Sequence, residues 1–306
     1  MEAEAKEGGQ DMSLSTGKFV GITSIFVCFL HYLGLPSQVY SHGDIHERIV
    51  ELTKQIEQDS TNAALYLSRG ELYRYHRQWD EALSDYDRAF GLDPALNVVD
   101  LARGRMMLEA GWFERAKPVL DRYLVRKPDN QDALIARARV LRNLKQNLAA
   151  AVDYTWALSH SAEPRPEHFL ERAQVLVEEG PEYVAEAIDG LDEGLRRLGQ
   201  IVTLQLYAVE LEVKCRNYDG AVQRLTSISK QAARKEKWFY RLGEVLRQAG
   251  RYSEAHRYYV EALSQIETLS ERARNTKSTL ALKARVRKAL AEVIDTANME
   301  DSNATL

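Results

Sequence analysis

Between residues 63 and 268 the apolar positions fall into short runs of helical spacing, and the runs come in pairs. A short polar stretch parts the two runs of each pair; HRQW, NLKQN and CRNYD are three of them. LDP (92–94) and RKPDN (126–130) separate one pair from the next, because proline blocks helix continuation. Upstream, DIHERIVELTKQIEQD (44–59) sets Ile45, Ile49, Leu52 and Ile56 on one face, with Asp44 and Glu47 at capping-box spacing. Downstream, LALKARVRKALAEVI sets Leu282, Val286, Leu290 and Val293 on one stripe. The pattern predicts an all-α chain with an N-terminal capping helix in 42–62, helix pairs in 63–268, a C-terminal capping helix in 269–296 and a disordered tail in 297–306.

The first 41 residues have a different pattern. An apolar run from Phe19 to Leu35 follows Lys18, and SQVYSHGD offers Val39 and Ser41 as a cleavage recognition pair. This reads as a secretory signal cut after Ser41, with Met12 as an alternative start, and so predicts an exported protein, periplasmic or extracellular. The other reading is a retained membrane anchor. The run is short of the roughly 20 apolar residues that spanning requires, and it contains His31.

A register of 34 residues organises the paired runs. Gly70, Ala82 and Pro94 return as Gly104, Ala116 and Pro128, then as Ala138 and Ala150 with the proline displaced to Pro164. Ala173 and Ala187 continue it across a two-residue insertion in EGPEYV; Val209 with Ala221, and Gly243 with Ala255, complete six copies. The first copy carries Tyr66, Gly70, Tyr73, Ala82, Tyr86, Ala89 and Pro94. On these residues the chain resembles the tetratricopeptide repeat (TPR) family over about two thirds of its length. The resemblance implies a right-handed superhelical α-solenoid of six helix pairs, capped at both ends. It also implies that the tyrosines of the first copy are packing residues and not a catalytic cluster. Asp80 is expected to cap the second helix of that copy, and His76 to end the first. Arg69, Arg103, Arg137 and Arg172 share one repeat position, and the recurrence of Asp85 and Asp153 predicts ion pairs between helices.

Composition narrows the chemistry. A formal charge of −4 from 41 basic and 45 acidic residues gives no basic surface for nucleic acid. Two cysteines without a CxxC exclude a zinc ribbon or disulfide framework. HExxH, GxSxG, Walker and GxGxxG motifs are absent, so no enzyme class and no cofactor is indicated. His42, Asp44 and His46 offer a metal-handling alternative, set against the plainer reading of a leader running into a helix. Cys215 lies beside Lys214 and Arg216 at a helix end and reads as a structural thiol. The basic stretch 271–288 reads as a solvated helix face.

The resemblance further implies that the first helix of each pair lines a concave groove. Arg74, Tyr75, Arg105, Arg139 and Arg142 would make its early part basic, and Glu171, Glu178, Tyr207 and Glu210 would make the middle acidic. Tyr240, Arg241 and Glu244 would end it. Such a surface suits an extended or helical peptide. Leu67 and Glu71, Leu101 and Arg105, and Ile135 and Arg139 stand where heat-shock-chaperone TPRs place a carboxylate clamp, which argues against that role. The expected function is a non-enzymatic scaffold for a protein or peptide partner. The alternatives are a membrane-anchored assembly factor of an envelope complex and a metal-handling accessory protein.

Overall fold

The computed structural model describes residues 42–303, and every regular element among them is helical. The signal or anchor segment lies outside the described residues, and no described helix is long and apolar enough to cross a membrane. An N-terminal helix, α1 (His42–Gln58), precedes six pairs: α2 (Ala63–Tyr75) with α3 (Trp79–Leu92), α4 (Val98–Glu109) with α5 (Phe113–Arg126), and α6 (Gln131–Asn143) with α7 (Asn147–Ser159). Then come α8 (Pro166–Glu179) with α9 (Val184–Leu198), α10 (Val202–Lys214) with α11 (Tyr218–Gln231), and α12 (Glu236–Gln248) with α13 (Tyr252–Glu267). A single turn, α14 (Glu271–Arg274), leads to the last helix, α15 (Lys277–Asn303). Each helix packs on its chain neighbours, and α15 packs back on α13 and α12, giving an α-solenoid.

The small residues of the register set the close crossings. A Cβ on Gly70 would stand 2.8 Å from Tyr86 Cε1, one on Gly104 2.5 Å from Leu120 Cδ2, and one on Gly243 2.4 Å from Tyr259 Cε1. Ala82, Ala116, Ala150, Ala187, Ala221 and Ala255 on the opposing helices are all fully buried. Large side chains on the same helices, Tyr86, Leu120, Tyr154 and Tyr259, fill the space beside those crossings.

The polar stretches inside the pairs share one geometry. Arg77, Gly111, Lys145, Arg216 and Gly250 occupy the same repeat position and all have positive φ, between 59° and 77°. The left-handed residue closes the first helix and re-aims the chain. The fourth pair departs: its two extra residues pass through extended Gly180 and a 3-10 turn, Pro181–Tyr183.

Three expectations at helix ends are corrected. Gln78, and not Asp80, holds the N-cap position of α3; its side chain makes no capping bond, and Asp80 lies in the first turn. At that place a carboxylate acts on the helix dipole without capping the amides. Helix α1 begins at His42, so Asp44 is inside it and does not open a capping box. The last helix runs through the 297 boundary to Asn303, with 304–306 outside the described residues. His76 does close α2, and Asn62, Asn130 and Asn217 cap α2, α6 and α11 through their side-chain oxygens.

The arginine position forms the expected ladder. Arg69 pairs with buried Asp85 through two bonds of 2.8 and 2.7 Å, and Arg137 pairs with buried Asp153 through two of 2.7 Å. Both also reach back to the preceding helix: Arg137 to Asp121 and Arg69 to the Thr53 hydroxyl of α1. Arg103, which faces Val119 where an aspartate would stand, pairs backward with Asp87 instead. Arg172 pairs with Glu193. Thr53, Asp87 and Asp121 are each 34 residues apart, so α1 stands in register with the second helices of the pairs.

Candidate functional site

The first helices of successive pairs lie side by side: α2 touches α4, α4 touches α6, and α8 touches α10. Their shared face carries the predicted groove residues. Between α4, α6 and α8 it opens into a cleft of about 600 Å³, bordered by Arg105, Leu108, Glu109, Ile135, Arg139, Arg165 and His168. Charges of both signs meet there, Glu109, Asp132 and Glu163 against the arginines, on a mostly polar surface to which Leu108 and Ile135 add the apolar part.

Most of these charges are already paired, and the pairs cross from repeat to repeat. Arg74 bonds Glu71 on its own helix at 2.8 Å and Glu109 on α4 at 2.6 Å. Arg139 makes two bonds to Glu171 of α8, at 3.1 and 3.0 Å. Arg142 bonds Glu178 and, at 3.1 Å, Gln174 on the same helix. The sequence expectation of a basic early groove and an acidic middle therefore meets an arrangement in which the arginines of α6 and the glutamates of α8 neutralise one another. The 34-residue spacing of the helices, read together with side-chain reach, contained that signal. Arg105 differs: it is exposed and makes no hydrogen bond or ion pair among the described residues.

The core reaches this surface through tyrosines. Tyr86 of α3 is fully buried, yet its hydroxyl donates to Glu71 Oε1 at 2.6 Å. Tyr259 repeats the arrangement with Glu244 beside Arg247. Burial first, and then the adjacent glutamate, raises both phenols well above their ordinary range. Tyr154 of the third pair is raised for the same reasons, burial and Glu171. Reading Tyr86 as a packing residue captured its ring and missed its hydroxyl. His168, at the edge of the cleft, is held below the usual imidazole range by burial.

The other predicted residues are dispersed. Tyr75 is exposed at the end of α2. Tyr207 is half-buried, its phenol raised by burial and by Glu210 and Glu178, while Glu210 itself is exposed. Tyr240 lies under α15, with the Arg285 guanidinium 5.6 Å from its ring centre. Arg241 is turned to Trp238, 5.9 Å from that ring. The last helix thus covers the C-terminal end of the groove. At the other end, Asp44 and His46 are exposed and the His42 side chain lies outside the described residues; no group of three or more potential metal ligands gathers among the described residues. Cys215 is exposed at the end of α10.

Comparison with known proteins now bears on this architecture. Two stretches, residues 101–180 and 237–268, match family models described as tetratricopeptide repeat. Both stretches are tetratricopeptide repeats. The matched stretches fall on α4 to α8 and on α12 and α13, within the register that the packing follows throughout. No curated protein matches the sequence. Among solved structures it is similar to a TPR protein from Parabacteroides merdae (16% identity, 82% of this chain and 93% of that one, TM-score 0.49). It is also similar to MamA from Desulfovibrio magneticus (15%, 52% and 89%, 0.46) and to PilF of Pseudomonas aeruginosa (15%, 75% and 99%, 0.47). The assignment rests on the matched stretches and the packing. A TPR solenoid is a protein-interaction scaffold.

Proposed function

We propose that this TPR protein is a non-enzymatic, exported scaffold that holds an acidic segment of a partner protein or peptide in the cleft of α4, α6 and α8. The observation that carries this reading is Arg105. Its neighbours Arg74, Arg139 and Arg142 are engaged by glutamates, whereas Arg105 stands exposed at the cleft without a partner. A carboxylate entering there gains a charge-assisted bond without breaking an existing pair. Leu108 and Ile135 supply the apolar surface beside it. Export rests on the sequence of the first 41 residues; N-terminal sequencing of the mature protein should start at His42, and an intact N-terminus would leave the membrane-anchored reading in its place.

The test is capture from the exported fraction, with wild type and Arg105→Glu as parallel baits. Reversing Arg139 as well would set a glutamate against Glu171 and damage the wall of the cleft, so the single change is cleaner. A partner held by wild type and lost at least tenfold by the variant is expected; equal retention by both baits removes the cleft from the reading.

A further inference from the structure

The outer face of the third pair differs from that of every other pair. On α7 the residues exposed to solvent are Leu148, Ala149, Val152, Thr155, Trp156 and Ser159, none of them charged. Its single acidic residue, Asp153, is buried against Arg137. Leu148, Val152 and Trp156 follow each other at four-residue spacing and form one ridge, 40%, 65% and 47% exposed. At the same three places α3 carries Asp80, Ser84 and Arg88, and α13 carries Ser253, Arg257 and Glu261. No second helix of the other five pairs has a branched aliphatic or aromatic side chain there. Helical packing in the core explains none of the three, because they point away from it.

Beside the ridge runs a groove of about 410 Å³ between α5 and α7, lined by Leu124, Val125, Pro128, Leu134, Val152 and Trp156 together with Arg137 and the Asp121 and Asp153 carboxylates that it pairs with. Val125 on its far wall is 84% exposed. The Trp156 indole N–H donates to Asp129 Oδ1 at 3.0 Å, and the ring lies against His160, 4.7 Å between centres. The polar edge of the indole is thereby satisfied within the chain and its orientation fixed. What remains facing outward is apolar and held in place, as an interface anchor requires.

We propose that this face packs against the same face of a second copy of the chain. It carries both halves of a helix contact, an i, i+4, i+8 ridge and a groove beside it, so one surface complements itself. Val152 is the middle of the ridge. A two-fold axis beside it sets Val152 against the partner's Val152 and Leu148 against the partner's Trp156. The absence of charge among the exposed residues of α7 matters here, since any charge near such an axis meets its own sign. The four exposed side chains form a patch on the order of 400 Å², as large as monomers ordinarily leave open. With its rim, a pair of such patches reaches about 1,200 Å², the lower end of specific interfaces, so the dimer is a weak one in the micromolar range. None of the four exposed side chains borders the cleft, and the dimer stands or falls apart from the proposed function.

Sedimentation of the full-length chain from about 1 to 100 µM tests it. Wild type is expected to pass from monomer to dimer across that range, with amide exchange in α7 slowing as the dimer forms. Val152→Glu and Val152→Arg are each expected to stay monomeric, with unchanged thermal unfolding because the site is exposed. An equimolar mixture of the two is expected to dimerise again, because opposite charges then meet at the axis. A wild type that stays monomeric throughout overturns the proposal; so do variants that dimerise like wild type, a mixture that fails to restore the dimer, or exchange in α7 that ignores concentration. A patch covered by another protein, or by the chain's own first 41 residues, gives one of these overturning results.

Discussion

Gly91 and Gly243 both sit inside helices, yet they have opposite reasons to be there. A Cβ on Gly91 would meet nothing within 4 Å, whereas one on Gly243 would stand 2.4 Å from Tyr259. Gly91→Ala is therefore expected to stabilise the protein by about 0.5–1 kcal/mol, the helix cost of glycine. Gly243→Ala is expected to destabilise it by about 1–3 kcal/mol through overpacking. It also displaces the phenol that holds Glu244. Urea unfolding of the two variants reads the sign directly, and a shared sign would contradict the close crossing. The turn residues show the same contrast without a substitution. Gly111 and Gly250 adopt positive φ freely, while Arg77, Lys145 and Arg216 do so at a cost of about 1–2 kcal/mol each. The repeat tolerates that cost because the turn fixes the angle between two packed helices.

At the scale of the helices, the ladder of arginines separates two kinds of aspartate. Arg137 has two acidic partners, Asp153 ahead and Asp121 behind; Arg69 has Asp85 ahead and only the Thr53 hydroxyl behind. Asp85→Asn is thus expected to cost about 1.5–3 kcal/mol, the range for a bond to a charged group, and Asp153→Asn clearly less. Matched unfolding curves of the two variants check this, and equal losses would show that the backward partner contributes nothing. The helices and their pairing were legible in the sequence because a 34-residue period repeats the same small and large positions. Arg69 and Arg137 were legible for the same reason, each with an aspartate 16 residues on. Arg103 was not fully so: Val119 replaces its forward partner, and the backward bond to Asp87 depends on the stacking of pairs. The helix starts were misread at Asp80 and Asp44 because a carboxylate in the first turn and one at the cap leave the same trace in sequence.

Across the whole molecule each pair leans on its neighbours, so the last pair depends on α15. Leu282, Val286, Ala289 and Val293 are buried against α13 and its surroundings. Val286→Asp is expected to speed amide exchange in α12 and α13 at least tenfold and to leave α2 to α6 unchanged, since contacts run only between neighbours. Uniform acceleration along the chain would mean a single cooperative unit in place of a stack. The groove was legible only in part for a similar reason. Its residues could be assigned to a face from the register, but the ion pairs of Arg139 and Arg142 with α8 exist only once two helices lie side by side.

Those cross-repeat pairs carry a consequence for any guest. A ligand carboxylate that approaches Arg139 or Arg142 must evict a glutamate already seated there, and the evicted side chain returns to water. Such an exchange leaves the number of ion pairs unchanged and releases few counterions, so added salt weakens it little. At Arg105 nothing is evicted, and the new contact fades as salt rises. On the proposed reading the groove thus offers two kinds of berth, told apart by the slope of affinity against ionic strength.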